Sequence, residues 1–170
     1  MSFVPADNEY SFECPLELHC KYNTGQIMAA FGYYNETEAP AFREGVKHFA
    51  DKKTDIFLIN LNKSEKDFSP STMYDDYAVT PTLFHWQSQS RDRQGSSKIQ
   101  RYINHRETGN SISLFVREYK KNGTYTSPCV FLGNADYIRH EGEMPVSFDW
   151  KLHSPIPSGM FPSANKVMAI

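Results

Sequence analysis

No stretch of this chain approaches the ~20 consecutive apolar residues that span a bilayer, and no basic segment followed by an apolar run opens it. A soluble, cytoplasmic protein without a membrane partner is expected. Cysteine is sparse: Cys14, Cys20 and Cys129 are an odd number with no CxxC pair, which argues for reduced, structural thiols rather than a disulfide framework. Charge of either sign is nearly balanced at a net −2, so nothing global demands a nucleic-acid partner and nothing excludes one. Metal-ligand signatures are missing too. The six histidines are scattered, and a metal-dependent nuclease would have to draw on His140-Glu141 with His105 and Asp136, at no recognised spacing. No metal, no cofactor and no catalytic residue is expected.

What is present is aromatic bulk and an uneven charge. With 170 residues, 39% apolar and 14% aromatic, the chain is long enough for one domain with a core rich in Phe and Tyr. From Arg91 to Lys121 eight basic residues face only Asp92, Glu107 and Glu118, whereas Met1 to Glu44 is acidic. Residues 1–14 read as a lead-in, 15–153 as the folded domain, and 154–170, with Pro155, Pro157 and Pro162, as an irregular strap. Asn23-Thr24 caps a short helix over Gly25–Phe31 that Gly32 closes, with Ile27, Ala30 and Phe31 facing the core. Ala41–Phe49 and Lys53–Leu61 read as strands, and Ile56-Phe57-Leu58-Ile59 as a strand buried on both faces. Ser90–Ser97 reads as a mobile loop that orders on a ligand. Gln100–His105, Ser111–Lys120, Val130–Leu132 and Val146–Leu152 read as further strands, the last with Val146, Phe148, Trp150 and Leu152 inward. One helix and about seven strands, with no repeat, give an α+β fold: a mixed, mainly antiparallel curved sheet or small β-barrel.

The stretch Thr82–Gln89 concentrates the chemistry. As a strand it sends Leu83, His85, Gln87 and Gln89 to one face and Phe84, Trp86 and Ser88 to the other. Upstream, Met73-Tyr74-Asp75-Asp76-Tyr77 holds two carboxylates between tyrosines. Together they hold what is needed to stack a flat heterocycle and hydrogen-bond its edge. Trp86, Phe84, Tyr77, Tyr74 and Tyr102 are the stacking candidates. Asp75 or Asp76 suits an exocyclic amine, and His85, Gln87 and Gln89 can reach the other polar atoms. If Gln87 lines a pocket, Trp86 belongs to the core and Tyr102 or Tyr77 stacks instead. The face of His85, Gln87 and Gln89 is preferred, because burying three polar side chains without a role is costly. Arg91, Arg93, Lys98, Arg101 and Arg106, with Lys63 and Lys66, are candidates for a phosphate backbone.

Several phrases agree, in order, with one family. Phe42-Arg43-Glu44-Gly45-Val46, Asn62 to Pro70, Tyr77 to Gln89, Gln100-Arg101-Tyr102-Ile103-Asn104-His105 and Leu114 to Lys121 resemble the domain of unknown function at the C-terminus of bacterial superfamily II helicases. That domain often follows a phospholipase-D-type nuclease. The resemblance runs from about Pro15 to Pro157. It implies an SRA/PUA-like module of the kind found in SauUSI-type modification-dependent (type IV) restriction enzymes, which act in phage defence. There it reads 5-methylcytosine or 5-hydroxymethylcytosine in double-stranded DNA, while helicase and nuclease domains cut and hydrolyse ATP. This chain has no GxxxxGK[ST] loop, and a non-catalytic reader that flips the base is expected. The alternative is an adaptor that couples the helicase motor to its nuclease.

Overall fold

The computed structural model describes residues 10, 12, 14–33, 45–62 and 76–161. A two-residue strand β1 (Lys21–Tyr22) leads into helix α1 (Thr24–Ala30). Asn23 and Gln26 form a reciprocal capping box there: the Asn23 side chain accepts the Gln26 N–H and the Gln26 side chain accepts the Asn23 N–H, each at 2.9 Å. Gly32, at φ 82, ends the helix. Ile27 and Phe31 face the core as expected, and Met28 joins them while Ala30 is only half-buried.

The strands follow as β2 (Val46–Phe49), β3 (Thr54–Asn62), β4 (Tyr77–Thr80) and β5 (Leu83–Gln87). Next come α2 (Ser97–Ile103) and β6 (Ser111–Tyr119), a small separate hairpin β7 (Lys121–Asn122) and β8 (Tyr125–Thr126), then β9 (Cys129–Glu141) and β10 (Ser147–Leu152). The main sheet has the order β2-β3-β6-β9-β10-β5-β4, with β1 extending the line of β10 along β9. Strands β3 and β6 run parallel and the other described pairs antiparallel. The fold is α+β, and of the two forms expected the observed one is an open, curved, mixed sheet, bent by register shifts in β4, β9 and β10.

Parity along β3 divides the interior in two. Phe57 and Ile59 join Ile112, Leu114, Val116, Phe84, Trp86, Phe148 and Trp150 on one face, closed by Ile99 and Tyr102 of α2 and by Ile156 and Phe161 of the chain end. Ile56 and Leu58 point the other way, to Phe115, Phe131 and the buried side of α1. The α1 layer shares its cluster with residues of β2, β3, β6 and the start of β9. On the same face, no described helix packs over β10, β5 and β4.

Three expectations need correction, one in kind and two in extent. Gln100–His105 belongs to α2 and its exit turn: Ser96 caps the helix by accepting the Ile99 N–H, and Ile99 and Tyr102 recur at helical spacing. In Ser90–Ser97, Asp92 accepts the Gln89 N–H at 3.1 Å and Gln94 donates to the Gly142 carbonyl at 2.8 Å. Val130–Leu132 is part of a strand of 13 residues, whose C-terminal half is mostly polar, with Tyr137 turned to the core and Arg139 to the other face. The first strand of the hairpin begins at Val46, and residues 41–44 lie outside the described set. None of the three cysteines is in a disulfide, and burial pushes the Cys129 thiol up to about 11.

The bulge that bends β9 against β6 is built on Gly133, at φ 83, where a Cβ would come within 2.9 Å of Leu18 Cδ1. Gly133→Ala is therefore expected to cost about 1–2 kcal/mol from the left-handed backbone alone, read as a lower urea midpoint with an unchanged slope.

Candidate functional site

Strand β5 sits between β10 and β4 with Phe148 opposite Trp86, Asp149 opposite His85 and Tyr77 opposite His85 on the far side. Its inward residues are closed off. Phe84 and Tyr102 are fully buried, and Trp86 stacks on Phe57 with centroids 4.2 Å apart. Tyr102 meets Phe57 edge-on at 5.0 Å. As stacking platforms for a flipped base, Phe84, Trp86 and Tyr102 are corrected: the parity that puts Gln87 outward puts Phe84 and Trp86 under α2, whose own Tyr102 closes over them in the core.

The outward residues make a polar row across four strands, Tyr77 of β4, His85 of β5, Asp149 of β10 and Arg139 of β9. The Tyr77 and His85 rings lie 5.1 Å apart, tilted by 32°. His85 Nδ1 is 2.9 Å from Asp149 Oδ1, and Arg139 Nε donates to Asp149 Oδ2. Asp149 is only 5% exposed. Burial pushes its carboxyl up, but the hydrogen bonds from His85 and Arg139 outweigh that and hold it below its ordinary 3.8. With Nδ1–H donated to the carboxylate, neutral His85 presents Nε2 as an acceptor. In the next row Gln87 Nε2 donates to Ser147 Oγ at 3.1 Å.

Other candidates serve the frame. Asp76 Oδ1 accepts the Gln87 N–H at 2.9 Å, fixing the edge of β5. Gln89 has left the strand, its Oε1 accepting from Lys98 Nζ at 3.0 Å. Lys98 also pairs with Asp92 at 2.9 Å. Arg101 forks onto Asp55 through Nε and Nη2, both at 2.9 Å, and that hydrogen bonding raises its pKa. Arg106 Nη2 donates to the Tyr137 carbonyl at 3.1 Å. Arg91 and Arg93 are exposed in the turn before α2. The basic candidates thus form no single stripe. Tyr74, Asp75, Lys63 and Lys66 lie outside the described residues.

Asp149, Arg139 and Ser147 were missed by the sequence reading. The one signal was an acid inside the alternating run Val146–Leu152, on its outward parity; which histidine it meets depends on register across 64 positions. The imagined metal set does not assemble. His105 Nε2 accepts the Tyr137 N–H and Nδ1 donates to the Asn110 carbonyl, both at 3.0 Å, while Asp136 pairs with His153 and His140 with the Tyr137 hydroxyl. Among the described residues no three His, Cys, Asp or Glu side chains gather to hold a metal.

A protein-family model described as a domain of unknown function (DUF3427) matches residues 16–164. No curated protein matches the sequence.

Burial lowers the pKa of His105, with smaller opposing contributions from Asn110 and Asp136, and burial likewise lowers that of His19. Their folded values lie under the ordinary 6.5, so the unfolded chain takes up more protons as pH falls. Stability contributed by the neutral rings is whole above about pH 6.5 and declines below it. Melting temperatures at pH 7.5 and 5.5 are expected to show this drop, and His105→Asn to lower the first value while shrinking the difference.

Proposed function

The chain belongs to the DUF3427 family, and we propose that it is a non-catalytic DNA-binding module that reads a modified cytosine, 5-methyl or 5-hydroxymethyl. The observation that carries the reading is the row Tyr77, His85, Asp149 and Arg139, a half-buried polar face over which no described helix packs. A modified base hides its Watson–Crick edge in the duplex, and flipping it out costs roughly a few kcal/mol. Stacking on an aromatic ring returns about 1–3 kcal/mol, and among the described residues Tyr77 is the stacking candidate on this face. His85 Nε2 is an acceptor suited to the cytosine N4 amine, which only donates. The Gln87 amide supplies a second acceptor or donor, and Leu83 is the apolar neighbour for a C5 substituent. A buried methyl is worth only ~1 kcal/mol, so selectivity comes mainly from fit and from polar groups held in place. Arg139, 78% exposed beyond its bond to Asp149, is placed to meet a phosphate.

In this reading the module is SRA/PUA-like in role. It acts in the cytoplasm as the specificity domain of a type IV restriction system, beside helicase and nuclease domains that supply the catalysis.

Fluorescence anisotropy tests it with one short duplex carrying cytosine, 5-methylcytosine or 5-hydroxymethylcytosine, at two salt concentrations. About tenfold tighter binding to one modified duplex is expected, lost in His85→Ala and in Tyr77→Ala. Arg139→Ala should weaken all three duplexes alike and flatten the salt dependence. Equal binding to all three sinks the base-reading claim. No binding at any salt sinks DNA recognition and brings forward the adaptor alternative.

A further inference from the structure

On the opposite face of the sheet, where α2 meets the β2–β3 turn, lies a groove of about 430 Å³ lined by His48, Lys53, Ser97, Gln100, Arg101 and Asn104 among others. Behind the lining residues Arg101 and Asn110 lies Asp55, 1% exposed, whose oxygens accept the Arg101 fork and, at 2.7 Å, the Asn110 amide. His48 Nδ1 stands 3.2 Å from the same carboxylate, off line for a hydrogen bond. Asp55 cancels one cation, so Lys53 and Arg101 leave the groove with one positive charge beyond neutrality when His48 is neutral. Among the described lining residues there is no Phe, Tyr or Trp, and His48 carries the one ring, so the groove is poor in the stacking surface a base needs.

The backbone of Lys53 is a second, independent observation. It closes the Phe49–Thr54 hairpin at φ 49, the left-handed region. Seven glycines take the positive-φ positions elsewhere among the described residues, and only His19 and Met144 share the exception. Gly, Asn or Asp would fit this turn at lower cost. The ammonium of Lys53 is thereby carried at the rim of the groove by a turn position that sets its direction.

We propose that this groove binds the phosphodiester of a nucleic-acid backbone, one phosphate at a time and without regard to base. The single surplus charge matches a diester monoanion, and Arg101, already oriented by Asp55, retains further N–H donors for its oxygens. The proposal rests on the nucleic-acid reading for the identity of the ligand only. The groove and the His85 row lie on opposite faces, so it is a separate backbone site rather than a wall of the base pocket.

The test uses the whole chain, an abasic deoxyribose-phosphate oligomer, and inorganic phosphate. Amide NMR shifts of Lys53, Ser97, Asn104 and Thr108 report the groove, and anisotropy reports affinity. Both probes should move those amides, the oligomer at lower concentration and with no gain from added bases. Lys53→Asn should bind the oligomer several-fold more weakly with a salt slope smaller by about 0.7, while its melting temperature stays level or rises. Gln100→Glu, which sets a carboxylate in the groove, should weaken binding further.

Unmoved groove amides, or wild-type affinity in both variants, overturn the proposal. So does a lower melting temperature in Lys53→Asn without loss of binding, which would make the lysine structural. Phosphate-responsive amides with no response to the oligomer overturn the polymer ligand. A chain that prefers modified cytosine yet leaves these amides unmoved loses the groove alone, and a groove that responds in a chain with no modification preference loses the base reading alone.

Discussion

A buried carboxylate sets the geometry on which the rest of this molecule depends. Asp55 stands at the second position of β3, 1% exposed, and its neighbours come from α2, β2 and the turn before β6. An isolated ion there would cost several kcal/mol in desolvation, and removing one partner of such a pair costs about 3–5 kcal/mol. A buried ion pair adds little net stability compared with a well-packed apolar substitute. Its effect is positional. The planar Arg101 fork accepts few orientations, so Asp55 fixes where α2 crosses the sheet and which of its residues turn inward. Ile99 and Tyr102 then close over Phe57, Trp86 and Trp150, and that face becomes the main core.

Once α2 has taken that face, alternation assigns the other. Phe84 and Trp86 go in, so His85 and Gln87 go out, and the same parity on β10 sends Phe148 and Trp150 in and Asp149 out. The short α1 lies on the far side in one cluster with residues of β2, β3, β6 and the start of β9. Over β10, β5 and β4 that face carries cross-strand polar contacts and no described helix. The polarity of β5 and the shortness of α1 are thus two aspects of one arrangement.

This logic explains which features were legible in the sequence. The α1 cap could be read because Asn23 and Gln26 act within one turn, and the alternation of β5 and β10 because strand parity is local. The doubly buried Ile56–Ile59 run was legible for the same reason, since a strand covered on both faces needs no polar alternation. Gln100–His105 misled because Tyr102 and Ile103 carry strong strand propensity, and the deciding signals lay outside the window, in Ser96 and in the Asp55 partner of Arg101. The long β9 was invisible because bulges at Gly133 and Ile138 reset its parity. Least legible was the site itself. His85 meets Asp149, and Asp149 meets Arg139, only after the strand order and register are set, and no short window holds that information.

The polar row is also prepared in a way that an ordinary solvated face is not. A long exposed cation beside a carboxylate contributes little, because the pair is screened and must give up side-chain entropy to hold its geometry. Arg139 alone would fit that description. Asp149 does not: it is almost wholly removed from water, and His85 and Arg139 compensate its desolvation from either side. The imidazole is therefore oriented before any ligand arrives, its tautomer set by the carboxylate and its ring flanked by Tyr77. A ligand meeting such a face gains directed hydrogen bonds without the cost of ordering the groups that make them. A flat surface of mobile charges would give affinity through phosphate attraction alone. In the reading proposed above, a fixed imidazole beside a fixed amide and one ring is what would supply the geometric discrimination that a single methyl or hydroxymethyl group requires.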